Sequence, residues 1–510
     1  MKTNTLFSKM MMALAGLVLL GSCAKKLDLY PDNDLTPEKV YSTPAGYKSV
    51  LAKIYGTLSV TGNAGPAGAP DIAGGLDEGS QVAFIRMFFN CQELPTEEAV
   101  VAWNDQTIKD FHYMRWTSAD PFLKGIYARP IYNITLINEY LRESSDAKLA
   151  DRGISGAAAD DIRNSAAEVR FLRAFNYWVM LDLFGKSTFI TEADQVGTNL
   201  PGEISKHDLY IYICDELNAL LDENNANGEL ADANSADYGR VDKGAAWALL
   251  ARIKLNEKTY MDLSDHRTAA LDSAILCSKK VIDAGYQLHN NYRELFMADN
   301  HKRKNEIIWA INCDGLRTQA YGNTTFFVHC AAGDDHDQYG VGGGWYGYRA
   351  TKGLADKFTD LTGATDKRAL FTTSSFGTSP SQIEISDIGN FSNGLHVNKY
   401  VNIRSDGQNV SDAQRNFSDV DFPVFRLAEM YLIYAEATKL GGNGDLNLAL
   451  EYVNDLRTRA YGGSTAGNIT AGQLTTEFIL DERARELYWE GHRRTDLIRY
   501  NLLTTGTYLW

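Results

Sequence analysis

The sequence predicts an all-α protein, a tetratricopeptide-like scaffold of helix pairs with large irregular loop insertions and minor β-structure. Several long segments carry apolar residues at spacings of three and four, which is the period of a helix. Small residues occur where helices would touch, as in helical-repeat proteins. With 510 residues, 44% of them hydrophobic, the chain can bury a large core.

Five segments show the helical pattern most clearly. They are residues 165–184, 241–256, 426–440, 446–460 and 476–490. The first has apolar residues on two faces, so we expect burial on more than one side, and Gly185 is placed to end it. Only a short glycine-rich turn separates 426–440 from 446–460, so these two helices should form an antiparallel pair.

Two long insertions interrupt the helical pattern, at about 61–125 and 310–425. Both are rich in Gly, Asn, Asp and aromatic residues. Short β-prone runs at 306–312 and 324–329 predict minor strands. Because long insertions on a rigid scaffold commonly carry binding surfaces, we expect the functional residues there.

The N-terminus reads as a lipoprotein signal peptide, residues 1–22. A basic start precedes an apolar run at 10–20 that is too short to span a membrane. The Leu-Gly-Ser-Cys ending resembles a bacterial lipobox, in which Cys23 is acylated and becomes the first residue of a mature domain over 23–510. The alternative is an ordinary secretory signal with Cys23 incidental. The lipobox predicts a protein anchored to a membrane through lipid.

The charge balance argues against a nucleic-acid partner. Asp and Glu number 65 and Lys and Arg 50, for a formal net charge of -15. Nucleic-acid binding depends on basic patches that displace counterions from phosphates. We therefore expect no nucleic-acid partner.

The cysteines after Cys23 do not form a recognisable framework. They are Cys91, Cys214, Cys277, Cys313 and Cys330. An odd number without C-x-x-C spacing suits neither a disulfide scaffold nor a zinc site. Small buried thiols are the expectation, with a single bridge between Cys313 and Cys330 left open.

A charged cluster at 481–496 has two interpretations. It could supply the carboxylates of an active site, or it could form ion pairs at i,i+3 and i,i+4 spacing that tie helices together. Glycoside hydrolysis needs two carboxylates about 5 to 10 Å apart across a cleft, which sequence spacing does not indicate. No G-x-S-x-G, H-E-x-x-H or P-loop motif occurs. The ion-pair interpretation is favoured, and the chain is not expected to be an enzyme.

Aromatic residues in the insertions suggest a sugar-binding surface. Trp345 follows three glycines and precedes Tyr346-Gly347-Tyr348, and a loop of this composition cannot bury all three rings. Flat aromatic rings stack well on the apolar C–H faces of sugars. For any single aromatic residue the alternative is a place in the core.

Several motifs together resemble the SusD-like (RagB/SusD) family of bacterial surface lipoproteins. Residues 422–437 (FPVFRLAEMYLIYAEA) are similar to the family's signature segment. Further stretches agree at 167–174, 453–460, 482–487 and 490–499. With the lipobox, the resemblance covers nearly the whole chain in order. Family members usually end near Gln-Asn-Pro-Gly-Tyr, which this chain lacks at Trp510, so we expect a truncated C-terminal end.

The resemblance implies a non-catalytic lipoprotein on the surface of the outer membrane, with a tetratricopeptide-like scaffold. Such proteins bind glycans and lie as a lid over a SusC-like TonB-dependent transporter. Starch or maltooligosaccharide is the expected ligand here. The alternatives are a lipid-anchored glycoside hydrolase, or a binder of another glycan or of peptides.

The likeness to the starch-binding members of the family also implies a set of glycan contacts. In those members an Asp, an Arg and a Trp, followed by an amide, contact the glucan, together with a Tyr and a Trp separated by 24 residues. The corresponding residues here are Asp77 (or Glu78), Arg86, Trp103, Asn104 or Gln106, Tyr321 and Trp345. We expect the three aromatic rings to form an arc that matches the curvature of an α-1,4-glucan.

A calcium site is a further expectation. Alternate carboxylates in Asp419-Val420-Asp421 suit calcium, which prefers oxygen ligands. The starch-binding members carry a calcium near the corresponding segment, and the resemblance adds Asp299 as a third ligand. The alternative is that Asp421 only caps the helix that follows.

Overall fold

The computed structural model describes residues 36–66, 68–72, 82–194, 197, 200–222, 228–372 and 383–505. The predicted signal peptide, Cys23, Asp77 and Glu78 lie outside these ranges. Within the described ranges, no helix combines the length and the apolar character needed to cross a membrane.

Helices dominate the described part of the chain, as predicted. In chain order they are α1 (Pro37–Val40), α2 (Pro44–Gly56), α3 (Phe84–Glu93), α4 (Ile108–His112), α5 (Pro121–Glu143), α6 (Asp146–Asp151), α7 (Ala157–Phe184), α8 (Lys206–Leu221), α9 (Lys243–Leu255), α10 (Glu257–Tyr260), α11 (Thr268–Asp283), α12 (Thr324–Ala331), α13 (Lys352–Ala355), α14 (Leu427–Lys439), α15 (Leu446–Ala460), α16 (Thr476–Leu487) and α17 (Arg493–Arg499).

The strands are short and form two-stranded antiparallel pairs. They are β1 (Ala99–Val101), β2 (Ser187–Thr188), β3 (Glu203–Ile204), β4 (Ile307–Ile311), β5 (Tyr348–Ala350), β6 (Phe371–Thr372), β7 (His396–Val397) and β8 (Phe422–Arg426). The pairs are β1 with β5, β2 with β3, β4 with β8, and β6 with β7. Two of the pairs, β1 with β5 and β4 with β8, join segments more than 100 residues apart in sequence.

The long helices pack in series. Helix α5 packs on α7, α7 on α8, α8 on α9, α9 on α11, α11 on α14, and α14 on both α15 and α16. Each helix therefore contacts mainly its neighbours along the chain, as in helical-repeat proteins. The tetratricopeptide-like scaffold that the sequence predicts is confirmed.

Local sequence explains where several helices begin and end. Helix α7 ends at Gly185, whose φ of 74° and N–H bond to the Leu181 carbonyl make it the predicted cap. Helix α9 begins after Asp242 and α15 after Asp445, and each of these side chains accepts backbone N–H groups of the first turn. The five predicted helices correspond to α7, α9, α14, α15 and α16.

One of the two predicted minor strands is confirmed and the other is wrong. Residues 306–312 contain β4, which pairs with β8. Residues 324–329 instead begin helix α12, with the Asn323 side chain accepting the Thr325 N–H at its start. All eight residues of α12 are buried, so packing on several sides overrides the β-propensity of its Thr, Phe and Val residues.

All five cysteines in the described part of the chain are buried and free. The bridge between Cys313 and Cys330, which the sequence left open, does not form in this structure. Burial raises the pKa of the Cys91, Cys277 and Cys313 thiols to about 12, so these thiols remain protonated and act as small apolar groups.

Candidate functional site

The pairing of β1 with β5 joins the two insertions. Val101 lies opposite Tyr348, and one residue further along the Ala102 N–H donates to the Gly347 carbonyl at 2.8 Å. In an antiparallel pair, the residue after one strand lies beside the residue before the other. Trp103 follows β1 and Trp345 precedes β5, so both emerge at the same end of the pair.

Trp103 lies flat against the backbone of Gly347. A Cβ at Gly347 would come within 2.4 Å of Trp103 Cε2, and the φ of Gly347 is 113°. Glycine is therefore required at this position for both conformation and space. The indole also contacts the rings of Phe326 and Tyr348, each with centroids at 5.7 Å, and it remains partly exposed.

Arg86 lies beside Trp103 on the buried helix α3. Its guanidinium carbon is 5.6 Å from the Trp103 ring centroid and 4.1 Å from that of Phe326. Arg86 Nη2 is 3.6 Å from a carboxylate oxygen of Asp105. The backbone N–H of Arg86 donates to the Gly322 carbonyl at 3.0 Å. These contacts fix the guanidinium next to an exposed aromatic face.

Tyr321 and Trp345, both in the second insertion, contact each other. Their ring centroids are 6.1 Å apart, and Tyr321 also contacts Phe417 at 5.2 Å. Tyr321 is 38% exposed, and Trp345 is partly exposed. Because Gly322 accepts the Arg86 N–H, Tyr321 is held close to the Arg86 and Trp103 pair.

We call Trp103, Tyr321 and Trp345 the aromatic surface. The three residues come from two distant insertions. Tyr321 and Trp345 contact each other, and Arg86, which lies beside the Trp103 ring, donates its backbone N–H to Gly322, the residue after Tyr321. Asn104 and Gln106 follow Trp103 and are exposed, so their amides are free to face the same solvent. Asp77 lies outside the described residues.

Sequence reasoning missed two features beside the aromatic surface. Asp105, the partner of Arg86, is about half exposed, with 52% of its side chain accessible. Phe391 is 39% exposed and contacts Tyr346 with ring centroids at 6.4 Å. Phe391 could have been found from the sequence, because it is an isolated Phe in the Gly-, Asn- and Ser-rich stretch 387–394.

The candidate calcium ligand Asp299 is fully used within the protein. One of its oxygens accepts the Ser405 N–H and the other the Ser405 hydroxyl, both at 2.8 Å. Lys302 Nζ lies 3.4 Å from the same carboxylate. This aspartate organises a turn and already has a cation beside it.

Asp419 and Asp421 are occupied in a similar way. Asp419 accepts the N–H groups of Gly315 at 2.8 Å and Ser411 at 2.6 Å. Asp421 accepts the Cys313 N–H at 2.7 Å. Burial raises the pKa of Asp421 to about 7, and the neighbouring carboxylates of Asp419 and Asp314 contribute to the rise.

Among the described residues, no group of three or more His, Cys, Asp or Glu could hold a metal. Calcium also takes backbone and water oxygens as ligands, so a calcium ion at these carboxylates stays a prediction. The alternative, in which Asp421 caps the following helix, is wrong. Asp421 precedes strand β8, and α14 begins six residues later with Arg426 at its N-cap position.

The charged residues of the C-terminal region form buried ion pairs. Arg426 contacts Glu306 at 2.6 Å and Glu490 at 2.8 Å, while Arg459 contacts Glu486 at 2.6 Å. All these side chains are at most 4% exposed. Most of the pairs link different elements rather than successive turns of one helix, so the cluster holds the scaffold together.

Comparison with known proteins identifies the family. The model of the SusD family matches residues 375–509. The starch-binding protein SusD of Bacteroides thetaiotaomicron is 34% identical over 532 aligned positions, covering 96% of this chain and 89% of that protein. The chain belongs to the SusD family. It is a SusD-like protein of the glycan-binding kind.

Solved SusD-like structures share the fold. A SusD superfamily protein from Parabacteroides distasonis has a TM-score of 0.67 at 20% identity, covering 93% of this chain and 92% of that one. A laminarin-binding SusD-like protein has a TM-score of 0.64 at 20% identity, covering 90% and 92%. At these identities the likeness concerns the fold alone.

The SusD family model and the aromatic surface occupy different parts of the chain. Residues 375–509 include helices α14 to α17 and the buried ion pairs, whereas Trp103, Tyr321 and Trp345 all precede that range. The match to the family model therefore does not include the three aromatic residues.

Proposed function

We propose that this SusD-like protein binds starch or maltooligosaccharides on the aromatic surface. The observation that carries the proposal is that Trp103 and Trp345 emerge at the same end of the β1–β5 pair, and that Tyr321 contacts Trp345. Partly exposed rings offer stacking faces to sugars at little cost in conformational entropy. The starch-binding name of the relative at 34% identity supports an α-glucan as ligand.

The polar groups beside the rings suit sugar hydroxyls. Arg86 offers N–H donors, and its Nε is buried without a hydrogen-bond partner within the described part of the protein. Asp105 offers acceptor oxygens, and Asn104 and Gln106 offer both donors and acceptors. Together they would fix a glucan that stacks on the aromatic surface.

The proposal includes no bond-breaking step. The carboxylate identified beside the rings, Asp105, pairs with Arg86, and glycoside hydrolysis needs two carboxyl groups across the scissile bond. Reducing-sugar release from amylopectin measures the rival function, a lipid-anchored glycoside hydrolase. We expect none, and sustained release would contradict a purely binding role.

We also propose the cellular setting that the SusD family suggests. The protein would be anchored to the outer membrane through acylated Cys23 and face the outside of the cell. It would pass bound maltooligosaccharide to a SusC-like TonB-dependent transporter.

Trp103→Ala and Trp345→Ala test the aromatic surface. Removing a central aromatic anchor commonly costs about 2 kcal/mol or more, so each variant should bind maltoheptaose about thirtyfold more weakly in calorimetry. Trp247→Ala is the matched control, because Trp247 is also partly buried but lies on scaffold helix α9.

Circular dichroism should show that all three variants stay folded. Wild-type affinity in a folded Trp103→Ala or Trp345→Ala variant would refute the proposed surface. Tighter binding of laminarin or of a peptide mixture than of maltoheptaose would assign a different ligand.

A further inference from the structure

His329 lies directly against Trp345. It belongs to α12 and is 3% exposed. Its ring is stacked on the Trp345 ring, with centroids 4.4 Å apart and planes 19° from parallel. The Trp345 N–H also donates to the His329 carbonyl at 2.8 Å. The position of the Trp345 ring therefore depends on this histidine.

Both nitrogens of the His329 ring face carbonyl oxygens. Nδ1 is 2.6 Å from the Gly343 oxygen, and Nε2 is 3.0 Å from the Asn416 oxygen. A carbonyl oxygen can only accept, and a neutral imidazole can donate from only one nitrogen. The neutral ring therefore turns one lone pair toward a carbonyl oxygen, whereas the doubly protonated ring donates to both.

The two carbonyls belong to the two loops that border the aromatic surface. Gly343 lies two residues before Trp345. Asn416 precedes Phe417, whose ring contacts Tyr321 at 5.2 Å. A ring that donates to both carbonyls ties the Trp345 loop to the segment behind Tyr321, and a neutral ring releases one of these ties.

The charged groups on the elements around His329 are engaged elsewhere. The remainder of α12 carries no Asp, Glu, Lys or Arg. In the adjoining loops, Asp337 pairs with Arg415 at 2.8 Å, and Asp412 accepts the N–H groups of Gln414, Asn416 and Phe417. Asp335 accepts the Gly333 N–H at 3.1 Å.

The protonation of His329 is set by opposing effects. Burial lowers its pKa, the two carbonyls raise it and the nearby His336 lowers it, leaving the pKa below its ordinary value of about 6.5. The ring therefore gains its second proton at a lower pH than an unperturbed histidine does.

We propose that His329 is a positioning residue for Trp345 and makes glycan binding depend on pH, because only its doubly protonated ring holds both loops at once. This inference rests on the proposed function of the aromatic surface. If the arrangement with both loops held binds the glucan better, linkage requires that glucan binding also favours the protonated ring. Binding must then take up a proton.

Calorimetry with maltoheptaose tests this inference in the wild-type protein. Titrations from about pH 8 to about pH 5, in buffers of different ionisation enthalpy, measure both affinity and proton uptake. The gain of one hydrogen bond should raise the affinity about threefold to tenfold as the pH falls, with net uptake of protons near the midpoint.

His329→Gln removes the titrating group while keeping an amide that can donate. We expect this variant to bind with an affinity that no longer changes over the same pH range and without proton uptake at the midpoint. His266→Gln is the control, since His266 is a partly buried histidine with a lowered pKa that lies outside the insertions. It should keep the wild-type pH dependence and proton uptake.

A second measurement covers the case in which His329→Gln does not fold. In histidine-labelled wild-type protein, one of the nine histidines should show an upward shift of its pKa by NMR when maltoheptaose is added. Binding without pH dependence, without proton uptake or without such a shift would overturn the role of His329. Absence of glucan binding at every pH would overturn the proposed function itself, and this inference with it.

Discussion

At the residue scale, the position of Trp103 depends on a neighbour without a side chain. Gly347 has a φ of 113°, which disfavours any other residue, and the indole occupies the space of a Cβ. The sequence predicted only that the loop around it cannot bury the rings of Trp345, Tyr346 and Tyr348 all at once. The structure shows instead that this glycine allows an aromatic ring to pack on the backbone.

Gly347→Ala should weaken both stability and binding. The strained backbone and the clash with Trp103 should together cost about 2 to 4 kcal/mol of unfolding free energy, measured by denaturant titration. Affinity for maltoheptaose should fall because the indole is displaced.

Gly343→Ala is the control for this glycine. It lies in the same loop, its φ is not in the positive range, and a Cβ there would meet no atom within 4 Å. It should therefore keep wild-type stability. Equal effects of the two substitutions would contradict the packing of Trp103 on Gly347.

At the element scale, short strands and buried charges hold the insertions and the C-terminal helices in place. Strand β1 of the first insertion pairs with β5 of the second, and β4 pairs with β8. At the end of β8, Arg426 contacts Glu486 of α16 at 3.1 Å and Glu490 at 2.8 Å. The scaffold thus depends on ion pairs between elements that are distant in sequence.

Glu486→Gln should destabilise the protein strongly. Glu486 pairs with Arg459, Arg426 and Arg368, and removing one partner of a buried pair costs about 3 to 5 kcal/mol, measured by denaturant titration. Glu477→Gln, at an exposed position of the same helix, should change stability by less than about 0.5 kcal/mol.

The pKa of Glu486 determines the direction in which the stability of the fold changes with pH. Burial alone raises the pKa of Glu486, but the guanidinium groups of Arg459, Arg426 and Arg368 bring it below its ordinary value. A lowered pKa stabilises the folded state above the unfolded value of about 4.5 and loses this effect as the pH falls further. The wild type should therefore lose stability in acid more steeply than Glu486→Gln, and parallel profiles would contradict this assignment.

At the scale of the whole molecule, membership of the SusD family and the lipobox together predict a surface-anchored binding protein. Most of the buried apolar residues belong to one large core cluster. The candidate ligand contacts lie on the insertions. A neutral glucan is compatible with the net charge of -15, because its binding does not depend on charge pairing.

Cys23→Ala should release the protein from the membrane. We expect Cys23 of the lipobox to carry the acyl chains, of which each buried methylene contributes about 0.8 kcal/mol to membrane affinity. Fractionation should find the variant in the soluble extract and the wild type with the outer membrane. A variant that remains in the membrane fraction would show that Cys23 is not the anchor.

The sequence by itself determined the scaffold and the family. Helical periodicity located α7, α9, α14, α15 and α16, because an apolar stripe must face a core. Gly185 marked the end of α7, because this cap depends on a local contact. The signature segment at 422–437 identified the SusD family, since it lies where buried ion pairs and helix packing constrain many neighbouring residues at once.

Only the tertiary structure decided the conformation and the contacts of the insertions. Residues 324–329 have β-propensity but form α12, because burial on several sides overrides local preference. Asp299, Asp419 and Asp421 each accept N–H groups from loops that are distant in sequence, which no local pattern predicts. The contact of His329 with Gly343 and Asn416 joins residues up to 87 positions apart, and no local pattern records such a distance.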